Sequence, residues 1–448
     1  MKKILVIGAG RSTSSLIQYL LFNAENENWF VTIADRSKEL AFEAANEHNL
    51  AKAIAFDVNN EEERIRLIDE HDLIISMLPA HMHISVAKDC IRFKKHMVTA
   101  SYVSKEMKAL ANEAKEAGII IMNEIGVDPG IDHLSAMRVI DHIREKNGAL
   151  EAFETFTGGL VAPESDNNPW NYKFTWNPRN VVLAGQGTCK FIQNGKYKYI
   201  PYHKLFRRTE IIDIDGYGKF EGYANRDSLQ YREIYGLHDI PTMYRGTLRR
   251  PGFCKAWNMF VQLGATDDSY IMDDSENMTN REFINSFLAY NETDSVELKF
   301  KHYMNIRQDD IGLFEKFEWL GIFENTKIGL KEATPAQILQ HMLEQKWKLE
   351  PEDKDMIVMW HRFLFKSEGA FKEIHSSMVV KGDDQKYTAM AKTVGLPVAI
   401  ATKMILNGTI STPGVHVPIS KEIYNPILDE LENYGINFIE KEVEPRFY

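Results

Sequence analysis

Gly8-Ala9-Gly10 stands directly after the apolar run KILVI and just before SSLIQYLLF, whose apolar residues recur at helical spacing. Strand, glycine turn and helix in that order let the backbone approach a pyrophosphate, whose charge is met by the amides at the helix N-terminus. Arg11 and Ser12 are placed to add phosphate contacts. Thr13 takes the third place of the glycine fingerprint, which predicts slightly wider packing of helix on strand. Asp35 ends the second strand, FVTIADR, where a carboxylate accepts hydrogen bonds from adenosine ribose hydroxyls and favours NAD. Arg36 and Lys38 follow at once, and a guanidinium there suits the 2′-phosphate of NADP with Asp35 turned aside. The expected ligand is therefore a nicotinamide dinucleotide, NAD or NADP. A glycine turn kept for packing alone is the plain alternative.

The elements that position these residues alternate. After FVTIADR come a helix (KELAFEAANEHN), the short strand AIAFDV, a helix near residues 61 to 70 and the apolar strand DLIISMLP. A helix from about 82 to 93, the strand HMVTAS, another helix and GIIIMNEIG complete the series. Continuous apolar strands between amphipathic helices predict a doubly wound parallel sheet covered on both faces. Ligands of such sheets sit beyond the carboxyl ends of the strands. That places Ser76 to Pro79, with Leu78 and Pro79 toward the cofactor, Ala100 to Tyr102, and Asn123 to Asp128 along the site.

After Asp128-Pro129-Gly130 the texture changes to a long helix and polar-aromatic strands such as EAFETFTGG and KYKYIPYH. The fold class expected is α/β: a Rossmann-type sheet plus a mixed α/β substrate domain with a helical insert. The divisions read as residues 1–129, a dinucleotide-binding domain; 130–272, the first part of the substrate domain; 273–350, mainly helical; and 351–448, which completes the substrate domain and returns to the first.

Composition narrows the classes of function. A chain of 448 residues, 44% hydrophobic, can bury more than one core. The formal net charge of −11, with basic residues scattered, argues against nucleic acid as a partner. Cys90, Cys189 and Cys254 lie far apart with no metal-ligand spacing, so neither a disulfide framework nor a metal site is expected, and reduced thiols suit the cytoplasm. MKKILVIGAG runs too quickly into glycines for a signal peptide, and no window reaches the roughly 18 apolar residues of a membrane span without charge or proline. No membrane is expected.

The segments ASYVSKEM and NEIGVDPGIDHLSA resemble those of saccharopine dehydrogenases, in particular the glutamate-forming saccharopine reductases. The resemblance continues through SDNNPWNYKFTWNPRNV, YANRDSLQY, YRGTLRRPGF and MAKTVGLPVAIATKMILNG, leaving aside the segment around residues 270 to 350. It implies an enzyme of lysine metabolism that interconverts saccharopine with glutamate and α-aminoadipate semialdehyde, works with NAD or NADP, and forms a homodimer. It also places substrate-side residues at Ser101, Tyr102, Asp128, Trp176, Arg226, Thr247 and Arg249, with Asp128 and Tyr102 nearest the chemistry.

Each residue has a plainer role beside that one. Saccharopine carries three carboxylates, and a guanidinium forks onto a carboxylate, which suits Arg226 and Arg249; ordinary ion pairs are the alternative. Asp128 is placed to hold the substrate amine or relay its proton, or to cap the helix that follows. Tyr102 is a ligand contact or a packing residue, and His133 is more often a satisfied structural histidine than an acid or base. Two further readings stay open. A carboxynorspermidine or carboxyspermidine dehydrogenase would need acidic residues where these arginines stand, and a noncatalytic dinucleotide-binding protein would bind cofactor without turnover.

Overall fold

The computed structural model describes residues 1–447. The chain forms two compact units, one of residues 1–150 and 363–445, the other of residues 151–362 with Arg446 and Phe447. The strands are β1 (Lys2–Ile7), β2 (Trp29–Asp35), β3 (Ala51–Ala55), β4 (Leu73–Ser76), β5 (His96–Val98), β6 (Ile120–Met122), β7 (Ala149–Val161), β8 (Thr188–Gln193), β9 (Lys196–Pro201), β10 (Thr209–Ile214), β11 (Gly218–Ala224), β12 (Thr242–Arg249), β13 (Asp355–Ser367), β14 (Ala370–Lys381), β15 (Gly414–His416) and β16 (Ile439–Val443).

In the first unit a seven-stranded sheet runs in the order β15-β6-β5-β4-β1-β2-β3. Every pairing in it is parallel. The order reverses at β1 and β4, the switch point beside which doubly wound sheets bind dinucleotides. All four residues of β4 (LIIS) and all three of β6 (IIM) are buried, as strands covered on both faces must be. Leu5, Ile7, Ile74, Met97 and Ile121 pack with Val86, Ala87 and Cys90 of the helix His83–Phe93 to form the core on one face.

The sheet gains β15 from far along the chain. The helix Ala389–Leu406 packs against the helix Ser14–Asn23, and a Cβ at Gly395 would lie 2.8 Å from the Leu16 nitrogen, so glycine is what allows the approach. This helix bears on the membrane expectation. By length and composition it could cross a membrane, although Lys392, Pro397 and Lys403 interrupt it, and 72% of its apolar window is buried inside the protein. The reason is packing: a core helix with an apolar surface all round satisfies the same pattern.

The second sheet orders β10-β11-β12-β7-β13-β14-β16, with β8 on β12 and β9 on β8. It is mixed, since β12 runs parallel to β7 while β10, β11 and β12 form an antiparallel meander. Between residues 280 and 346 lie the helices Asn280–Ser286, Val296–Tyr303, Ile311–Trp319 and Pro335–Lys346. Two of them open with capping boxes, Thr279 with Glu282 and Thr334 with Gln337, each satisfying two backbone donors at a helix start. The α/β class expected from sequence is the class observed.

Candidate active site

The glycine loop follows β1. Gly8 has φ of +107°, and a Cβ there would stand 2.7 Å from the Met77 carbonyl oxygen, so the loop can cross the end of β4 only as glycine. Gly10 differs: its φ is −77° and a Cβ would meet nothing within 4 Å. That open space leaves the backbone accessible to a phosphate. Thr13 is buried, and both its amide and its hydroxyl donate to the Gly10 carbonyl, at 3.1 and 2.7 Å. The third fingerprint residue thus closes the turn by hydrogen bonds instead of by close packing. Arg11 is exposed and Ser12 half-buried. The loop and the helix start after it fit a dinucleotide phosphate.

Asp35 is engaged by the protein itself. One carboxylate oxygen accepts the Ala9 amide at 2.7 Å and the other the Ser37 amide at 2.8 Å. Arg36 is exposed, and no acidic partner stands beside it among the described residues. Lys38 lies over the Phe42 ring at 5.4 Å. Past β4, Leu78 is half-buried and Pro79 exposed.

At the ends of β5 and β6 a second group gathers. The Tyr102 hydroxyl donates to Asp128 Oδ1 at 3.4 Å, and the Asp128-Pro129 peptide is cis. Asp128 does not cap the helix Ile131–Glu145: Gly130 is the N-cap residue, and its amide donates to Asp132 at 2.6 Å. Glu124, 3% exposed with φ of +54°, holds the segment before Asp128. Its amide donates to the Ser101 carbonyl at 3.0 Å, its Oε1 accepts the Val103 amide at 3.0 Å, and its Oε2 lies 2.8 Å from His133 Nε2. His133 is therefore a buried, paired histidine behind the site.

Sequence reasoning passed over His83. Its Nδ1 lies 2.8 Å from Ser76 Oγ and its Nε2 2.7 Å from Ser101 Oγ. Burial, with His81 acting in the same sense, pushes its pKa down to about 4, so the ring is neutral at pH 7. The available signal was a histidine at the start of the helix that follows a strand ending in serine.

In the other unit Arg249 is 3% exposed. Its guanidinium lies over the rings of Tyr172, Tyr223 and Phe253 at 5.0, 5.8 and 5.4 Å, and it donates to its neighbour's carbonyl, Leu248, at 2.8 Å. No carboxylate pairs with it among the described residues, and its Nε has no hydrogen-bond partner. Glu221 sits opposite in the ladder, but its two oxygens accept the amides of Gly252 and Cys254 at 2.7 and 3.0 Å, at the start of the helix Phe253–Leu263. Thr247 lies two residues before Arg249 on β12, hence on the same face, and is paired in register with Tyr223. Burial pushes the Tyr223 hydroxyl up to about 12, so it stays protonated as a donor. Trp176 is half-buried beside Tyr172. Arg226 is exposed, with φ of +50°, and its carbonyl accepts the Lys190 amide. The aromatic cage of Tyr172, Tyr223 and Phe253 was not singled out from sequence, although all three fall in or beside the aromatic motif segments.

Residues 4–122 match the model of the saccharopine dehydrogenase NADP binding domain, and residues 126–436 that of the saccharopine dehydrogenase C-terminal domain. The chain is 35% identical to a saccharopine dehydrogenase (NADP(+), L-glutamate-forming) of Saccharomyces cerevisiae, over 99% of either chain. It is also 35% identical to the mitochondrial α-aminoadipic semialdehyde synthase of Rattus norvegicus, over 98% of its own length and 47% of the relative's. The chain thus spans about half the length of the synthases it matches. Among solved structures, the apo saccharopine dehydrogenase (L-Glu forming) of S. cerevisiae superposes with a TM-score of 0.91 at 34% identity, covering 99% of this chain and 100% of that one. A homospermidine synthase of Legionella pneumophila shares the fold, with a TM-score of 0.54 at 9% identity over 98% and 91% of the two chains.

Proposed function

We propose, from the premise that the chain belongs to the saccharopine dehydrogenase family, that it interconverts saccharopine with glutamate and α-aminoadipate semialdehyde and uses NADP. The observation that carries this reading is Arg249. A buried guanidinium without a counter-ion is costly, by several kcal/mol, and persists where a ligand supplies the charge. A substrate with three carboxylates supplies it, and the rings around Arg249 strengthen the pairing by excluding water. A diamine-derived substrate calls for an acid in that place.

The choice of NADP rests on Asp35 and Arg36. The oxygens of Asp35 already hold two backbone amides, while the exposed guanidinium next to it is suited to a 2′-phosphate. Gly8, Gly10, Arg11, Ser12 and Thr13 cradle the pyrophosphate in this reading, and Leu78 and Pro79 border the nicotinamide.

The chemistry supplied by the bound cofactor is hydride transfer. What remains falls to the chain. In one unit Arg249, Arg226 and Thr247 offer donors to substrate carboxylates, with Trp176 on the aromatic side, and in the other unit Ser101 offers a hydroxyl. Asp128 takes the proton of the secondary amine as the C–N bond is oxidised to an imine, and Tyr102 steadies Oδ1 of that carboxylate. Water then splits the imine into glutamate and the semialdehyde. Three free, buried cysteines support a reducing, cytoplasmic setting, and the family resemblance supports a homodimer.

Arg249→Met tests the reading. The KM for saccharopine is expected to rise about 100-fold, as loss of a buried charge partner implies, while the Kd for NADP holds and the melting temperature stays or rises because an uncompensated charge has left the interior. An unchanged KM for saccharopine would overturn the assignment.

A further inference from the structure

Ser76, His83 and Ser101 form a hydrogen-bonded line across the ends of β4 and β5, and its direction follows from proton accounting. Ser76 is fully buried, and its hydroxyl has His83 Nδ1 as its only partner among the described residues. A buried hydroxyl whose proton lacks an acceptor costs about 1–3 kcal/mol, so the Ser76 proton goes to Nδ1. A neutral imidazole has one bare nitrogen and one N–H. The ring proton therefore sits on Nε2 and is donated to Ser101 Oγ. Ser101 receives a hydrogen bond on its oxygen and keeps its own proton for another acceptor.

The backbone of this segment is fixed independently, since Glu124 ties down both the Ser101 carbonyl and the Val103 amide. His83 thus acts on the Ser101 side chain and not on the loop.

The geometry points to His83 as a positioning residue that commits Ser101 to donate its hydroxyl proton to an anionic oxygen of the substrate. In the reaction proposed above that oxygen belongs to a saccharopine carboxylate, an identification that rests on that reading. The directed hydrogen-bond line does not.

Two measurements separate these layers. In protein labelled with ¹⁵N-histidine, with the His83 signals identified by their loss in His83→Gln, the expected state at pH 7 is the neutral Nε2–H tautomer. The Nδ1–H tautomer or a charged ring overturns the proposal without any turnover being needed. In steady-state assays Ser101→Ala and His83→Leu are each expected to raise the KM for saccharopine roughly 10- to 100-fold, the range for a hydrogen bond to a charged group. The KM for NADP should hold. Because His83 works through Ser101, the double variant should be no more than about twofold worse than Ser101→Ala alone. His83→Gln, whose carbonyl can accept from Ser76 and whose amide can donate to Ser101, should recover most of the loss and guards against misfolding of the leucine variant. Multiplicative effects, or a rise confined to the KM for NADP, overturn it.

Discussion

Asp35 holds the Ala9 and Ser37 amides, so its removal acts on the loop as well as on any ribose. Asp35→Ala is therefore a poor discriminator between cofactors, and Arg36 is the better one. Arg36→Ser is expected to raise the KM for NADP about 10- to 100-fold and leave the KM for NAD within about twofold, since only the 2′-phosphate answers a guanidinium; equal changes with both cofactors, or none, would exclude that role. His83 makes a second expectation at this scale. Its folded pKa of about 4 lies below the unfolded value near 6.5, so the unfolded chain binds the proton more tightly and stability falls as pH drops from 6.5 toward 4. The loss amounts to ~3 kcal/mol at most. Urea midpoints at pH 7 and pH 4.5 should fall further for the native protein than for His83→Gln, and equal falls would show that the ring is not held neutral.

The glycine loop, taken as an element, separates folding from binding. At Gly8 the positive φ and the Met77 carbonyl leave no room for a side chain, whereas at Gly10 both the backbone and the surrounding space accept one. Gly8→Ala is expected to lower stability by about 1–3 kcal/mol. Gly10→Ala should melt within a degree or two of the native protein yet bind NADP at least tenfold more weakly, because the new methyl occupies the cradle. Thermal melts and fluorescence titration with the reduced cofactor read the two effects apart; normal binding by Gly10→Ala would show that the phosphates lie elsewhere. The strands and helices around this loop were legible because parallel, doubly covered strands advertise themselves as short β-branched apolar runs such as LIIS and IIM. Less legible was the helix Ala389–Leu406, whose apolar content reads alike for a core helix and a membrane span until its packing on Ser14–Asn23 is known.

At the scale of the whole molecule, sequence motifs named Tyr102, Asp128, Thr247 and Arg249, and the structure adds that Tyr102 reaches Asp128 and that Thr247 and Arg249 share one face of β12. The supporting residues were hidden for a physical reason. His83, Glu124, Tyr172 and Tyr223 act through partners 9 to 77 residues away, and a lone histidine or tyrosine in sequence carries no sign of such a partner. Their common effect is to hold charge and protons ready: an uncompensated cation at Arg249, a neutral ring at His83, a protonated phenol at Tyr223. Within each unit such preorganisation favours binding anions and directing protons.

The most direct measurement is absorbance at the reduced nicotinamide band when the purified protein is mixed with saccharopine and either NADP or NAD, with glutamate assayed in the same sample. The expected result is a rise with NADP, far smaller with NAD, and one glutamate released per reduced cofactor. Silence with both cofactors, in a sample that binds NADP, would contradict the proposed reaction and leave a protein that holds a dinucleotide without acting on this substrate.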